Sequence, residues 1–311
     1  MKPTLSVIIC THNPSFKYFD RVLTALKSQT LPMTEWELLI IDNASNQPLC
    51  EILDLNWHLN ARHIHEDKLG LTHARIRGIQ EAKSEIIVFV DDDNVLDSDY
   101  LEIALQIGKE WPVLGAWGGQ AIAEFQEQPP DWTKPLWGKL AIREFDRDKW
   151  SNLIHQDDTV PYGAGLCIRK VVADKYAELV HSDPNRSQLD RTGKAENSVT
   201  ALMACGDIDM ALTSCDLGFG TGLFKSLRLT HLIPPQRLQE DYLLKLIEGL
   251  TYSVVILESF RGKTPPKYSW LAKYLDYFRY WLLLDPRERR FKDAHFRGLN
   301  FAIKELSDAS K

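Results

Sequence analysis

"SEIIVFVDDDNVLDSDY", Ser84 to Tyr100, decides how the chain should fold. Five apolar residues, Ile86 to Val90, run straight into three carboxylates, Asp91, Asp92 and Asp93. A short, apolar, β-branched run predicts a buried strand. Three like charges at its mouth each raise the cost of ionising the others, so the triplet needs a reason. Upstream, "LSVIIC" (Leu5 to Cys10) is a strand that runs into Thr11, His12 and Asn13. "WELLIIDNAS" is another, running into Asp42 and Asn43. Between the strands, Phe19, Val22, Leu23 and Leu26 recur at helical spacing up to about Thr30, and Pro32 ends that helix. "LTHARIRGIQEAK" predicts a second helix. Asp99 and Glu102 are spaced as a capping box for a third, through Ile107.

Strands alternating with helices favour right-handed β-α-β units around a parallel sheet. Strands that are apolar throughout fit a sheet covered on both faces. Ligands of such sheets bind beyond the carboxyl ends of the strands, where all three polar loops converge. From Ala116 the pattern loosens. "GAWGGQ" suggests a further strand with close backbone approach, and "PPDWTKPLWG" a Pro/Trp loop. "SDPNRSQLDRTGKAENS" (Ser182 to Ser198) reads as a surface loop. After Pro234-Pro235 the chain becomes helical, with a break at Pro265-Pro266.

The composition is that of a globular protein: 311 residues, 44% hydrophobic, with material for a large core. A net charge of -6 argues against nucleic acid as a partner. Residues 236–311 differ, with 14 Lys+Arg against 10 Asp+Glu. Cys10, Cys50, Cys167, Cys205 and Cys215 form no metal-type spacing, and an odd count points to free thiols in a reducing compartment. The apolar run Val7 to Cys10 is too short for a signal peptide, and no stretch approaches the roughly 20 apolar residues of a membrane span. The expected location is the cytoplasm, with attachment to the inner face of the membrane left open.

A divalent cation would offset the repulsion in the triplet. Mg²⁺ and Mn²⁺ prefer oxygen ligands, and Mg²⁺ typically takes one or two carboxylates plus substrate phosphates and water. On an extended strand end Asp91 and Asp93 project to one side and Asp92 to the other. Arg75, on the helix before this strand, offers a diphosphate a forked cationic donor, or else is an exposed helix arginine. Asp42 could accept hydrogen bonds from a base or ribose, or form a turn.

"SVIICTHNP", "LLIIDNAS", "GLTHARIRGIQEAKSEIIVFVDDDN", "YGAGLCIRK" and "CGDIDMALTSCDLGFG", in that order, resemble family 2 glycosyltransferases over about residues 4–233. The resemblance implies a GT-A fold, a Rossmann-like α/β sandwich with a mostly parallel central sheet. It assigns residues 1–235 to a catalytic domain and leaves 236–311 as a helical C-terminal extension. It further implies a nucleoside-diphosphate sugar donor, a divalent metal and inversion at the anomeric carbon. UDP is the default nucleotide, with GDP and dTDP open. Thr11, His12 and Asn13 would line the nucleoside pocket and Asp42 would meet the base. Arg75 would approach the ribose or diphosphate, and Asp92, with Asp91 beside it, the ribose or sugar. Asp93 would bind the metal, and His231 would reach the metal or diphosphate with Arg237 behind it. Asp207 would be the catalytic base. The family more often has Tyr at the position of His12 and Glu at that of Gly206. Asp209 is a second acid close to Asp207.

Other readings differ in what they require. A nucleotidyltransferase would want a Gly- and Lys-rich triphosphate loop, and none stands near the start. A glycoside hydrolase needs paired carboxylates but no triplet beside a nucleotide site. A non-catalytic sugar-binding scaffold has no use for both Asp93 and Asp207. The acceptor would be a glycan or a lipid-linked sugar, in polysaccharide or glycoconjugate synthesis. In the C-terminal segment, "YLLKLIEGLTYSVVILESF" predicts an apolar helix, and "YSWLAKYLDYFRYWLLLDPRERRFK" ends in a basic cluster. These helices would pack on the catalytic domain or a second subunit, or lie on a membrane surface; packing is the favoured reading.

Overall fold

The computed structural model describes residues 2–154, 156–190, 202, 204–264, 280 and 283–309. The chain forms two compact units. One comprises Met1–Ser187 and Gly206–Pro235; the other comprises Gln188–Cys205 and Gln236–Lys311. Set beside a division at 235, the stretch Gln188–Cys205 falls with the second unit.

Among the described residues, the first unit is built on a nine-stranded sheet. Its strands are β1 (Leu5–Thr11), β2 (Trp36–Asn43), β3 (Ala61–Glu66), β4 (Ile86–Phe89), β5 (Asn94–Leu96), β6 (Leu114–Phe125), β7 (Lys149–Ser151), β8 (Cys167–Arg169) and β9 (Gly220–Ile233). The order is β3-β2-β1-β4-β8-β6-β9-β5, with β7 also on β9. The pairs β3-β2, β2-β1 and β1-β4 are parallel. Beyond β4 the sheet is mixed: β8 runs antiparallel to both β4 and β6, and β6 is parallel to β9. β3 was not expected, because "ARHIHE" has four polar residues in six, without alternation, and only Ile64 is buried.

The helices of this unit are α1 (Phe16–Lys27), α2 (Leu49–Ile52), α3 (Leu71–Glu81), α4 (Tyr100–Glu110), α5 (Lys170–Ser182) and α6 (Gly206–Asp216). Those covering the parallel strands explain why the strands are apolar on both sides. Leu5, Val7 and Ile9 join Phe19, Val22, Leu23 and Leu26 of α1 and Tyr100, Leu101 and Ala104 of α4 in one core. Each fully buried Leu, Ile, Val or Phe among them contributes about 1.5–3 kcal/mol. The alternate residue Ile8 faces α3. Gly78 lets α3 seat there, since a Cβ at that position would stand 2.6 Å from Ile8 Cγ2. Gly108 does the same for α4 against Ile86 and Trp117.

Two local expectations need correction. Asp99 makes no capping hydrogen bond to α4. Instead the Leu101 amide donates to Gln29 Oε1 at 3.0 Å, and Glu102 accepts from Thr30 Oγ1 at 2.6 Å. A side chain reaching in from the end of α1 has replaced the local box. The stretch from Ser182 is also no simple surface loop where it is described. Pro184–Leu189 is a 3₁₀ turn with Arg186 buried, and Leu189 and Asp190 are buried as well. Residues 191–200 lie outside the described residues.

The second unit contains α7 (Glu240–Ser259) and α8 (Pro286–Ala309). Arg287 and Arg290 pair with Glu240, Arg290 also with Asp241, and Arg297 with Glu248. Tyr252 donates to Glu305 at 2.8 Å. Much of the expected basic cluster thus ties α8 to α7. Pro265-Pro266 and most of the aromatic run before Leu283 lie outside the described residues. Among the described residues, no helix is long and apolar enough to cross a membrane, and all five cysteines are free thiols.

Candidate active site

The polar loops gather at the carboxyl ends of β1, β2 and β4. Thr11 and Asp42 are register neighbours at the ends of β1 and β2. His12 Nδ1 bonds the Asn43 carbonyl at 2.8 Å, and its Nε2 meets Asn13 Nδ2 at 2.9 Å. Asn13 adopts a left-handed backbone (φ 49°), which Asn tolerates well. It receives the Asn46 amide on Oδ1 and donates its own amide to Ser45 Oγ. Asp42 is buried and accepts the Ser45 and Leu49 amides at 3.1 and 2.9 Å. Burial alone would raise its pKa; the hydrogen bonds from Ser45 and Leu49 and the nearby His65 outweigh that and hold it below the usual carboxylate range. Asn43 orders the approach to α3: its Nδ2 donates to the Glu66 and Lys68 carbonyls, and its Oδ1 accepts the Gly70 amide. Arg75 sits one turn further on, on the buried face of α3.

The acidic triplet is not an extended strand end. β4 stops at Phe89, and Asp91 to Asn94 close a tight turn in which the Asn94 amide donates to the Asp91 carbonyl at 3.1 Å. The sidedness expected from a strand survives for another reason. Asn94, fully buried, donates its Nδ2 to Asp93 Oδ1 at 2.7 Å and lies 3.4 Å from Asp91 Oδ2. One amide therefore holds two carboxylates on the same side. Asp92 turns the other way and accepts from Thr11 Oγ1, joining the triplet to the β1 loop. From Asn94 the chain enters β5, whose partner opposite Asn94 on β9 is His231. The Leu232 amide donates to the Asp93 carbonyl at 2.9 Å. His231 Nε2 then stands 3.6 Å from Asp93 Oδ2, beyond hydrogen-bond distance.

α6 brings the last acids. Asp207 is half-buried; its Oδ2 accepts the Gly163 amide and its Oδ1 the Ile208 amide at 2.9 Å. A Cβ on Gly163 would stand 2.8 Å from Arg75 Nη2 and 3.0 Å from Asp207 Oδ2, so that glycine is the gap where cation and carboxylate approach each other. Asp209 is fully buried, and both its oxygens lie 2.8 Å from Arg186 Nη1. The two acids of this motif thus separate, one into an internal ion pair and one towards the site. Burial raises the Asp91 carboxyl above its usual pKa; Asp93 adds to that, Arg75 and His231 oppose it, and Asp207 adds to it again. Arg75, Asp91, Asp93, His231 and Asp207 therefore share one electrostatic neighbourhood. Thr11, His12, Asn13 and Asp42 form the adjoining corner, linked to it through Asp92.

Among the described residues, no group of three or more His, Cys, Asp or Glu side chains could hold a metal by itself. The smaller donor set fits Mg²⁺ or Mn²⁺: Asp91 and Asp93 offer hard oxygens beside one another, and a diphosphate and water would complete the coordination. Asn94 and Arg186 escaped sequence reasoning, whereas Gly163 stands in "YGAGLCIRK", a stretch the sequence already marks. An amide beside three carboxylates is a usable signal for Asn94. Nothing local marks Arg186, whose partner is 23 residues away.

The family model described as "Glycosyl transferase family 2" matches residues 6–163. The poly(ribitol-phosphate) beta-N-acetylglucosaminyltransferase TarS of Staphylococcus aureus (strain Mu50) is 28% identical over 102 residues, 32% of this chain and 18% of that protein. The cholesterol galactosyltransferase of Borreliella burgdorferi is 30% identical over 104 residues, 33% of this chain and 28% of that protein. The chain spans less than a third of the length of these curated relatives. Its fold is shared with the crystal structure of S. aureus TarS, at a TM-score of 0.53 and 15% identity over 93% of this chain and 43% of that one. S. aureus TarS 1–349 in complex with UDP-GlcNAc gives 0.50 and 14% identity, over 94% and 79%.

Proposed function

The chain belongs to glycosyl transferase family 2, and from that premise we propose that it moves a sugar from a nucleoside-diphosphate donor, a UDP-sugar first, to an acceptor hydroxyl with inversion. One observation carries the reading: a buried arginine and a carboxylate on α6 approach each other at Gly163, and both act electrostatically on a pair of carboxylates held by a single amide. That arrangement separates leaving-group chemistry from proton removal. Arg75 would hold the diphosphate and stabilise the charge it gains as the bond to the sugar carbon breaks. Asp207 would take the proton of the acceptor hydroxyl as its oxygen bonds the anomeric carbon from the opposite face. Asp209 cannot share that role, because Arg186 neutralises it in the interior. Thr11, His12, Asn13 and Asp42 would receive the nucleoside, and Asp92 the ribose or sugar. A divalent cation on Asp91 and Asp93, with His231 beside it, would supply charge neutralisation to the diphosphate when bound.

UDP-GlcNAc is the first donor to try, because a protein of the same fold binds it. The acceptor would be a glycan or lipid-linked sugar. The test is a thermal-shift screen of UDP-, GDP- and dTDP-sugars with Mn²⁺, followed by donor turnover with and without EDTA. One UDP-sugar should stabilise the protein and be turned over, with turnover lost in EDTA. Stabilisation by a nucleoside triphosphate alone, with pyrophosphate released, would instead favour a nucleotidyltransferase.

A further inference from the structure

The segment carrying Gly163 is anchored at each step. Thr159 is buried, with its Oγ1 3.1 Å from Thr221 Oγ1. The Val160 carbonyl accepts from Arg143 Nη1 at 2.7 Å. Pro161 packs on Gly118, where a Cβ would come within 2.8 Å of its ring. The Arg143 guanidinium lies over the Tyr162 ring, 3.5 Å from its centre. Gly163 then donates its amide to Asp207, and the Gly165 carbonyl accepts from the buried Tyr100 hydroxyl at 2.6 Å. Arg143 is itself fixed to the sheet, exchanging backbone hydrogen bonds with Ala121 of β6 at 2.9 and 3.0 Å.

We propose that Arg143 is a positioning residue for Asp207, acting through the 160–165 segment, an inference that rests on the glycosyltransferase reading above. The sheet holds Arg143, Arg143 holds Val160 and Tyr162, and the Gly163 amide aims the carboxylate. Only a guanidinium does both jobs at this place: its face stacks on the phenol ring while an edge N–H reaches the carbonyl. An amide donated to a carboxylate favours its charged form. Loosening the segment should therefore both misdirect Asp207 and make it easier to protonate.

The experiment measures turnover from pH 5 to 9 for the full chain, Arg143→Ala, Arg143→Lys and Gly163→Ala, with the UDP-sugar that the wild type hydrolyses fastest and Mn²⁺. Arg143→Ala should lower kcat about tenfold while donor KM stays within about twofold, and move the acid limb of kcat/KM upward by about one pH unit. Arg143→Lys, which keeps a donor but not the stacked plane, should recover part of kcat. Gly163→Ala should lower kcat further. Its φ is not positive, so the added methyl acts through Arg75 and Asp207 rather than through backbone strain. Should Arg143→Ala fail to fold, Arg143→Lys and Gly163→Ala carry the test. Unchanged pH profiles in the folded variants, or kcat and KM falling together, overturn the inference alone. A wild type that turns over no nucleotide sugar overturns the reading beneath it as well.

Discussion

Two acidic motifs in the first unit resolve their repulsion in opposite ways. At Asp91–Asp93 the charges are gathered: a single Asn94 amide draws two of them together, and burial with Asp93 raises the Asp91 carboxyl. At Asp207 and Asp209 they are parted, with Asp209 buried against Arg186 and Asp207 left facing Arg75 across a glycine. Where charge is matched inside the protein it serves the fold. Where like charges are kept together at a rim, the arrangement calls for a ligand.

The largest expected effect breaks the second motif. Asp207→Asn should cut kcat by about 10²–10⁴-fold with donor affinity nearly unchanged, as measured by turnover and by titration of the donor. Collapse of donor binding with normal turnover per bound donor would show that Asp207 is not the base. Its neighbour should behave differently: Asp209→Ala removes a buried carboxylate from Arg186 and should cost about 3–5 kcal/mol in urea unfolding. Next comes the first motif. Asn94→Ala keeps every carboxylate but lets Asp91 and Asp93 part, so Mn²⁺-dependent donor affinity should fall about 10–100-fold by calorimetry. Equal affinity would mean the turn alone sets the two acids. Asp42 supplies a milder contrast, being a lone acid matched by amides. Asp42→Asn should cost about 1–3 kcal/mol at pH 7. Because folding lowers this pKa, the stabilisation is complete above the unfolded value of about 3.9 and fades as pH falls through the folded one. Variant and wild type should therefore converge in unfolding experiments once the pH has fallen through the lowered folded-state pKa. The smallest effect belongs to Arg21 and Glu124, matched charges that are 46% and 49% exposed. Arg21→Ala should cost about 0–1 kcal/mol, which a salt titration of stability would show to be screened.

The sequence made the parallel half of the sheet legible because both of its faces are buried there. Leu5 to Cys10, Trp36 to Ile41 and Ile86 to Val90 need no partner to announce themselves as strands. The edge strand of that half, β3, and the mixed half beyond β4 were less legible. β3 is polar at its exposed positions, and β7 and β8 have three residues each, too few for a periodicity. Thr11, Arg75, Asp91, Asp93, His231 and Asp207 could be picked out as candidates because their chemistry is local to a strand end or a motif. Their holders could not. Gln29 caps a helix 72 residues away, Arg186 finds Asp209 across 23, and Arg143 reaches Val160 across 17, distances no local pattern encodes.

The turn at Asp91–Asn94 is pinned at both ends, by β4 before it and by the β5–β9 ladder after it. Its backbone has little freedom left to lose when a ligand arrives. Folding, rather than the arrival of a ligand, forces the acids together, so the native state carries their electrostatic tension as a standing feature. Occupancy of that corner by a cation should then slow amide exchange across β5 and β9 and reinforce a wider region of the sheet than the ion itself touches.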